Sequence, residues 1–180
     1  MNAENKPGGG HMLVARLCCC LGLLLLAEQS LTYYPMMPPL VASHFAISGA
    51  ANAFMPKALF FGFMWVVYGI VFTYALLGTR LFPKRVKIIA DKEFWLAPDR
   101  REETLAVYQK HVAWEGALAL GFLYLVVGSV VDANLHGGGT LDVRTFLPVL
   151  VAFISLILLL RLRLRAAFAR RRRGIESVQG

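Results

Sequence analysis

Four separate runs of nearly uncharged residues, each approaching the length needed to cross a lipid bilayer, constrain this chain more than any motif does. They are Met12–Tyr34, Ala58–Gly78, Val112–Val131 and Phe146–Leu160. A spanning helix needs about 20 mostly apolar residues, because each adds roughly 1.5 Å of rise. One soluble core does not absorb four such segments in 180 residues, of which 57% are hydrophobic, and mean hydropathy is +0.57. The expected architecture is all-α: a polytopic membrane protein with four transmembrane helices in a small bundle. One membrane domain (12–160) follows a flexible leader (1–11) and precedes a basic tail (161–180).

The runs differ in quality. The second contains no charge and is rich in Phe, Val, Gly and Tyr. The third carries Glu115 near one end, with Trp114 beside it as an interface anchor. The fourth is short and is expected to borrow length from the snorkelling stems of Arg161 and Arg163. The first is interrupted by Arg16 and Glu28. Lys6 and Arg16 ahead of Leu17–Ala27 also resemble the start of a signal peptide, but Ala27-Glu28-Gln29-Ser30 makes a poor cleavage site. An uncleaved helix fits better. Cys18, Cys19 and Cys20 lie within it with no distant cysteine partner, and read as small packing residues. Gly62, Gly69, Gly116, Gly121 and Gly128 suggest close helix packing.

Charge orients the chain. Of the 19 Lys and Arg, only Lys57 and Arg144 fall on the side opposite the termini. That asymmetry places both termini in the cytoplasm. The net charge of +8 is thereby mostly a topology signal. Arg161, Arg163, Arg165 and Arg170–Arg173 add a surface for anionic lipid, at about 1 kcal/mol per residue near the membrane. Nucleic acid is not expected, since the cluster abuts a span and lacks interleaved stacking aromatics.

Two motifs lie between spans. The outward one runs from Pro38 to Asn52 and leads to Lys57. Pro38 and Pro39 favour an extended approach, and Gly49 suits a tight turn. His44, Phe45, Gly49, Asn52 and Lys57 form a candidate ligand or partner surface. His136, Asp132 or Asp142 from the other outer loop would join His44 in an outer active or metal site. The competing reading is a structural loop that tucks Phe45 against helix ends and hydrogen-bonds His44 to backbone. With no CxxC, HxxxH or HxxE spacing, no metal or other cofactor is expected, and the structural reading is favoured.

The inward motif is Phe94-Trp95-Leu96-Ala97-Pro98-Asp99-Arg100-Arg101-Glu102-Glu103. Asp99 and Glu102 have capping-box spacing, so a helix is expected to start near Arg100 and run unbroken into the third span. Val107, His111 and Glu115 would then share one face. Phe94 and Trp95 are expected at the interface or between helix ends, and Arg100 and Arg101 are suited to phosphate or carboxylate.

Together the PLVASHFAISG element with Lys57, the FWLAPDRREETL segment and Asn134-Leu135 resemble the bacterial domain-of-unknown-function family numbered 1648, which also occurs in SdpI-type toxin-immunity membrane proteins. The likeness covers roughly residues 31–135. Ile88-Ile89-Ala90-Asp91 departs from the family's Asn-rich lead-in, and Phe54-Met55-Pro56-Lys57 from its aromatic-Gly-Ser flavour. The resemblance implies a small bacterial inner-membrane protein.

No nucleotide loop, HExxH, GxSxG or paired CxxC is present, nor is a transporter-like internal repeat. The expected role is a non-enzymatic accessory or sensory protein of the membrane, immunity- or envelope-related. It would contact a membrane protein partner or form a homo-oligomer. The alternatives are a small transporter or ion-handling protein using His111 and Glu115, and a membrane enzyme with an outward His44 site.

Overall fold

The structure, a computed structural model, describes residues 9–81 and 91–179. Helix α1 (Gly9–Tyr33) leads to a hairpin of strands β1 (Leu40–Phe45) and β2 (Ala51–Pro56), and α2 (Lys57–Leu81) follows directly. A one-turn helix α3 (Lys92–Trp95) precedes two long helices, α4 (Arg101–Leu135) and α5 (Val143–Gln179). Four of these helices, α1, α2, α4 and α5, are long and apolar enough to cross a membrane. The chain is a multi-pass, four-helix membrane bundle.

Helix α4 is the hub. Its buried positions, among them Tyr108, Val112, Gly116, Leu120, Val127 and Val131, pack against neighbours on several sides. Helix α1 runs parallel to it: Cys19 Sγ donates to the Ala113 carbonyl (3.4 Å) and Gln29 Nε2 to that of Tyr124 (3.1 Å). Helix α2 is antiparallel, with Ala75 beside Gly116 and Thr79 beside Gln109. Helix α5 is antiparallel too, through Phe122–Phe153 ring stacking (4.2 Å) and the ion pair Arg171–Glu103 (2.8 Å).

The outside of the bundle is apolar. Leu13, Leu17, Leu21 and Leu24 on α1, and Phe63, Val66 and Ile70 on α2, are exposed at helical spacing. In water such stripes would be costly at about 25 cal/mol per Å². In hydrocarbon they are the solvated face.

A hydrocarbon layer is about 30 Å thick, or roughly 20 residues of helix. Counted from the hairpin end (Lys57, Leu135, Val143), it closes near Thr79, Glu115 and Arg163. Arg16 falls about 7 Å outside that level, because Cys19 lies beside Ala113 and the two helices run parallel. Beyond that level the first turns of α4 and the last turns of α5 continue as an antiparallel stalk, crowned by α3.

Several expected boundaries shift. Gly9–His11 belong to α1, so that part of the leader is helical; residues 1–8 lie outside the described set, as do the basic residues Lys84, Arg85 and Lys87. The fourth span begins at Val143, not Phe146, and the tail continues it without a break. The helix therefore has length to spare and needs no borrowed stems. The outward loop is a two-stranded antiparallel hairpin, with register shifts around His44. Its footing on the bundle is Val41 and Ala42, both fully buried, with Phe45 and Met55 partly buried against the core.

The glycines divide sharply. A Cβ at Gly116 would collide with Ala75, including its backbone Cα, whereas one at Gly62, Gly69 or Gly121 would meet open space. Gly116, and less tightly Gly128, where a Cβ would press on Gln29 Nε2 at 3.2 Å, bring helices together within the bundle. Gly116→Val is therefore expected to destabilise the fold by about 1–3 kcal/mol, read as a lower unfolding midpoint in detergent. Gly121→Val should leave that midpoint unchanged; equal effects would contradict the packing.

Candidate functional site

The conspicuous polar chemistry collects at three levels along α4. At the hairpin end, Asn134 acts as a surrogate strand. Its Oδ1 accepts from the Ala42 amide (2.8 Å), and its Nδ2 donates to the carbonyls of Ala42 (3.0 Å) and Val130 (2.8 Å). The edge of β1 is thus hydrogen-bonded to a side chain of α4, where a third strand would otherwise be needed.

Lys57 is a staple. Its Nζ donates to the carbonyls of Tyr34 and Met37, both at 3.2 Å, and sits 5.0 Å from the Tyr34 ring centre. These acceptors follow the C-terminus of α1, where a cation is favoured. Phe45 packs half-buried against the core. Gly49 has φ +88°, and a Cβ there would strike the Leu141 carbonyl, whose own amide donates to Gly49 (2.8 Å). Phe45 and Gly49 fit the structural reading of the loop, whereas the staple at Lys57, offered only as a ligand or partner contact, was not expected.

His44 departs from it. The ring is exposed and its Nδ1 lies 3.2 Å from the Ser43 hydroxyl, not on backbone. Asn52 is exposed as well. The other residues offered for an outer active site are engaged locally. Asp142 caps α5 through the Arg144 amide (3.0 Å) and the Thr145 hydroxyl (3.1 Å), and Asp132 pairs with His136 (3.0 Å). Among the described residues no three His, Cys, Asp or Glu side chains cluster as metal ligands. An open cavity of about 450 Å³ lies between Pro38, Leu40 and Phe54 of the hairpin segment and Asn134, Gly138 and Thr140.

At the opposite end, Trp95 is only 5% exposed. It fills a socket made by Tyr108 and Val112 of α4 and Leu164 and Phe168 of α5, meeting the Phe168 ring edge-on at 4.9 Å. Phe94 stands against Trp95 at 5.1 Å and is flanked by guanidiniums of Arg100 (4.3 Å) and Arg172 (5.2 Å). Asp91, in the left-handed conformation at φ +53°, pairs with Arg172. The motif therefore docks between helix ends, as one of the two expectations had it.

The expected capping box is not formed. Arg100 occupies the N-cap with no side-chain hydrogen bond to the helix, and Asp99 turns to Arg100 instead (3.1 Å). The amides of Arg100 and Arg101 bond to the Ala97 carbonyl (3.0 and 2.9 Å), a turn that Pro98 helps to set. Pro98, Arg101 and Glu102 are exposed, whereas Glu103 pairs with Arg171. Helix α4 does run unbroken through the third span.

Between the ends, at the edge of the apolar layer, Glu115 is held twice. Its Oε1 accepts from Arg161 Nε (2.7 Å) and lies 3.3 Å from His111 Nε2, a contact without good hydrogen-bond geometry. Arg161 thus turns to α4 instead of merely snorkelling. Nearly two turns away, Gln109 Oε1 accepts from the Thr79 hydroxyl (2.6 Å) and amide (3.0 Å), while its Nε2 donates to the Ala75 carbonyl (2.7 Å). Sequence reasoning missed Gln109 as a polar tie. Its only signal was an amide side chain near a span, and the partner across the bundle was not legible.

Arg161 is half-exposed, which limits the Glu115–Arg161 coupling to about 1 kcal/mol. A double-mutant cycle with Glu115→Gln and Arg161→Gln, read by chemical unfolding in detergent, should return that favourable coupling. A coupling of zero would show that the pair does not hold α5.

No family model, no curated protein and no solved structure matches the chain.

Proposed function

We propose that the chain is a non-enzymatic accessory or sensory protein of a bacterial inner membrane, with both termini cytoplasmic. Its hairpin meets an envelope ligand or partner, and its stalk engages a partner inside. The observation that carries this reading is that one helix holds both ends. Asn134, near the C-terminus of α4, clamps the hairpin, while Tyr108 and Val112, towards its N-terminus, form the Trp95 socket. A movement of the hairpin accordingly has a continuous path to the stalk. The concentration of Lys and Arg on the stalk side supports the orientation. The motif resemblance supports a bacterial, envelope- or immunity-related role.

A transporter would draw on His111 and Glu115, which do meet. Arg161 already neutralises that carboxylate, so ion passage would first require breaking the pair. An outer enzyme would draw on side chains that are committed to caps and local pairs. Both alternatives are weaker.

The test places full-length protein in nanodiscs with Trp65→Phe and Trp114→Phe, leaving Trp95 as the sole emitter. Asn134→Ala removes the clamp and leaves the Ala42 amide unpaired, at a cost of about 1–3 kcal/mol. Acrylamide quenching of Trp95 should then rise at least twofold. Unchanged quenching, with the hairpin shown to be released by faster amide exchange at Ala42, would refute coupling. In native membranes, cross-linking should recover a stoichiometric partner that His44→Ala loses. Proton flux in liposomes that Glu115→Gln abolishes would instead establish transport.

A further inference from the structure

The arginines of the stalk divide between two faces of α5. At about 100° per residue, Arg161, Leu164, Phe168, Arg171 and Arg172 share the side that meets α4 and α3, where each has a partner. Arg163, Arg170 and Arg173 fall on the other side, with Ala166 between them. All three are exposed, and among the described residues they form no ion pair.

Their placement decides what they suit. Helix α5 is continuous from Val143 to Gln179, and Arg171 stays docked on Glu103 of α4, so the helix keeps the direction of its span. Arg163 lies near the edge of the apolar layer. Arg170 and Arg173 then stand about 10 and 15 Å further out. At physiological ionic strength the Debye length is about 8 Å, so the charge of a bilayer surface is felt mainly at Arg163. A column of this length also exceeds the reach of one small anion. A second copy of the chain fits poorly, since basic residues outnumber acidic ones on the stalk and copies would repel. An acidic helix laid along the column would meet all three, each guanidinium taking a carboxylate.

We propose that Arg163, Arg170 and Arg173 form a docking column for an acidic helical segment of a partner protein. This names the partner class for the stalk end and rests on the interaction reading above. The test does not involve the hairpin, so its failure is distinguishable from a failure of coupling between the ends.

Full-length protein in nanodiscs of phosphatidylcholine is titrated into a fluorescent 20-residue Ala-rich helical peptide bearing Glu at matching spacing, with its Gln counterpart as reference. The Glu peptide should bind, with affinity falling as salt rises. R163Q/R170Q/R173Q should lower the affinity at least tenfold, whereas R80Q/K92Q/K110Q, which removes the same charge at positions off the column, should change it less than twofold. Equal loss in both variants would mean general charge attraction and overturn the proposal. So would full peptide binding by the triple variant combined with lost retention of phosphatidylglycerol in mixed nanodiscs, which would assign the column to lipid. In native membranes, photo-reactive benzoylphenylalanine in place of Ala166 should cross-link to an Asp- and Glu-rich segment. Adducts confined to lipid, or to segments without acidic residues, would also overturn it.

Discussion

Helix α4 is tied to every other long element by polar contacts set into an otherwise apolar bundle. Asn134 takes both backbone groups of Ala42 from β1, Gln109 takes the end of α2, Glu115 takes Arg161 of α5, and the Ala113 and Tyr124 carbonyls take Cys19 and Gln29 of α1. Apolar packing alone distinguishes poorly among helix registers in lipid, because the tails are as apolar as leucine. Side-chain hydrogen bonds do distinguish them, since a slip would leave a buried donor or acceptor unpaired. The register of the bundle follows from these few ties, and with it the alignment of the hairpin and the stalk.

The same ties explain why the two ends are built differently. The hairpin has a small apolar footprint, Val41, Ala42 and parts of Phe45 and Met55, and depends on Asn134 and on the contact between its tip and Leu141. The stalk carries its own small core around Trp95, with ion pairs on either side. Those exposed pairs contribute little each. Their effect is to orient α5, so that a second set of arginines is left facing away.

The four helices were legible because spans are long and apolar, and that signal survives without knowledge of packing. The continuity of α4 from Arg101 was legible too, since nothing between Pro98 and the third span breaks a helix. The turn at Gly49 followed from residue chemistry, whereas the staple made by Lys57, offered only as a ligand or partner contact, did not. What escaped were relations between distant residues. Nothing local told that Asn134 would replace a strand, that Gln109 would reach Thr79, or that Arg161 would turn inward to Glu115. The capping box failed for a related reason: Asp99 found Arg100 beside it and the first amides found the Ala97 carbonyl, so the local pattern was outcompeted. The hairpin was read as a loop because its strands are short and bulged, and Val41 and Ala42 give them their footing on the bundle.

If α4 is one rigid element that joins the two ends, its length is the quantity to measure. Spin labels at Glu102→Cys and Asp132→Cys, with Cys18, Cys19 and Cys20 replaced by Ala, would report it by double electron–electron resonance in nanodiscs. An unbroken helix separates these positions by about 45 Å at 1.5 Å per residue. A single narrow distribution near that distance is expected. A broad or much shorter one would mean a break near the edge of the apolar layer, and no path between hairpin and stalk would remain.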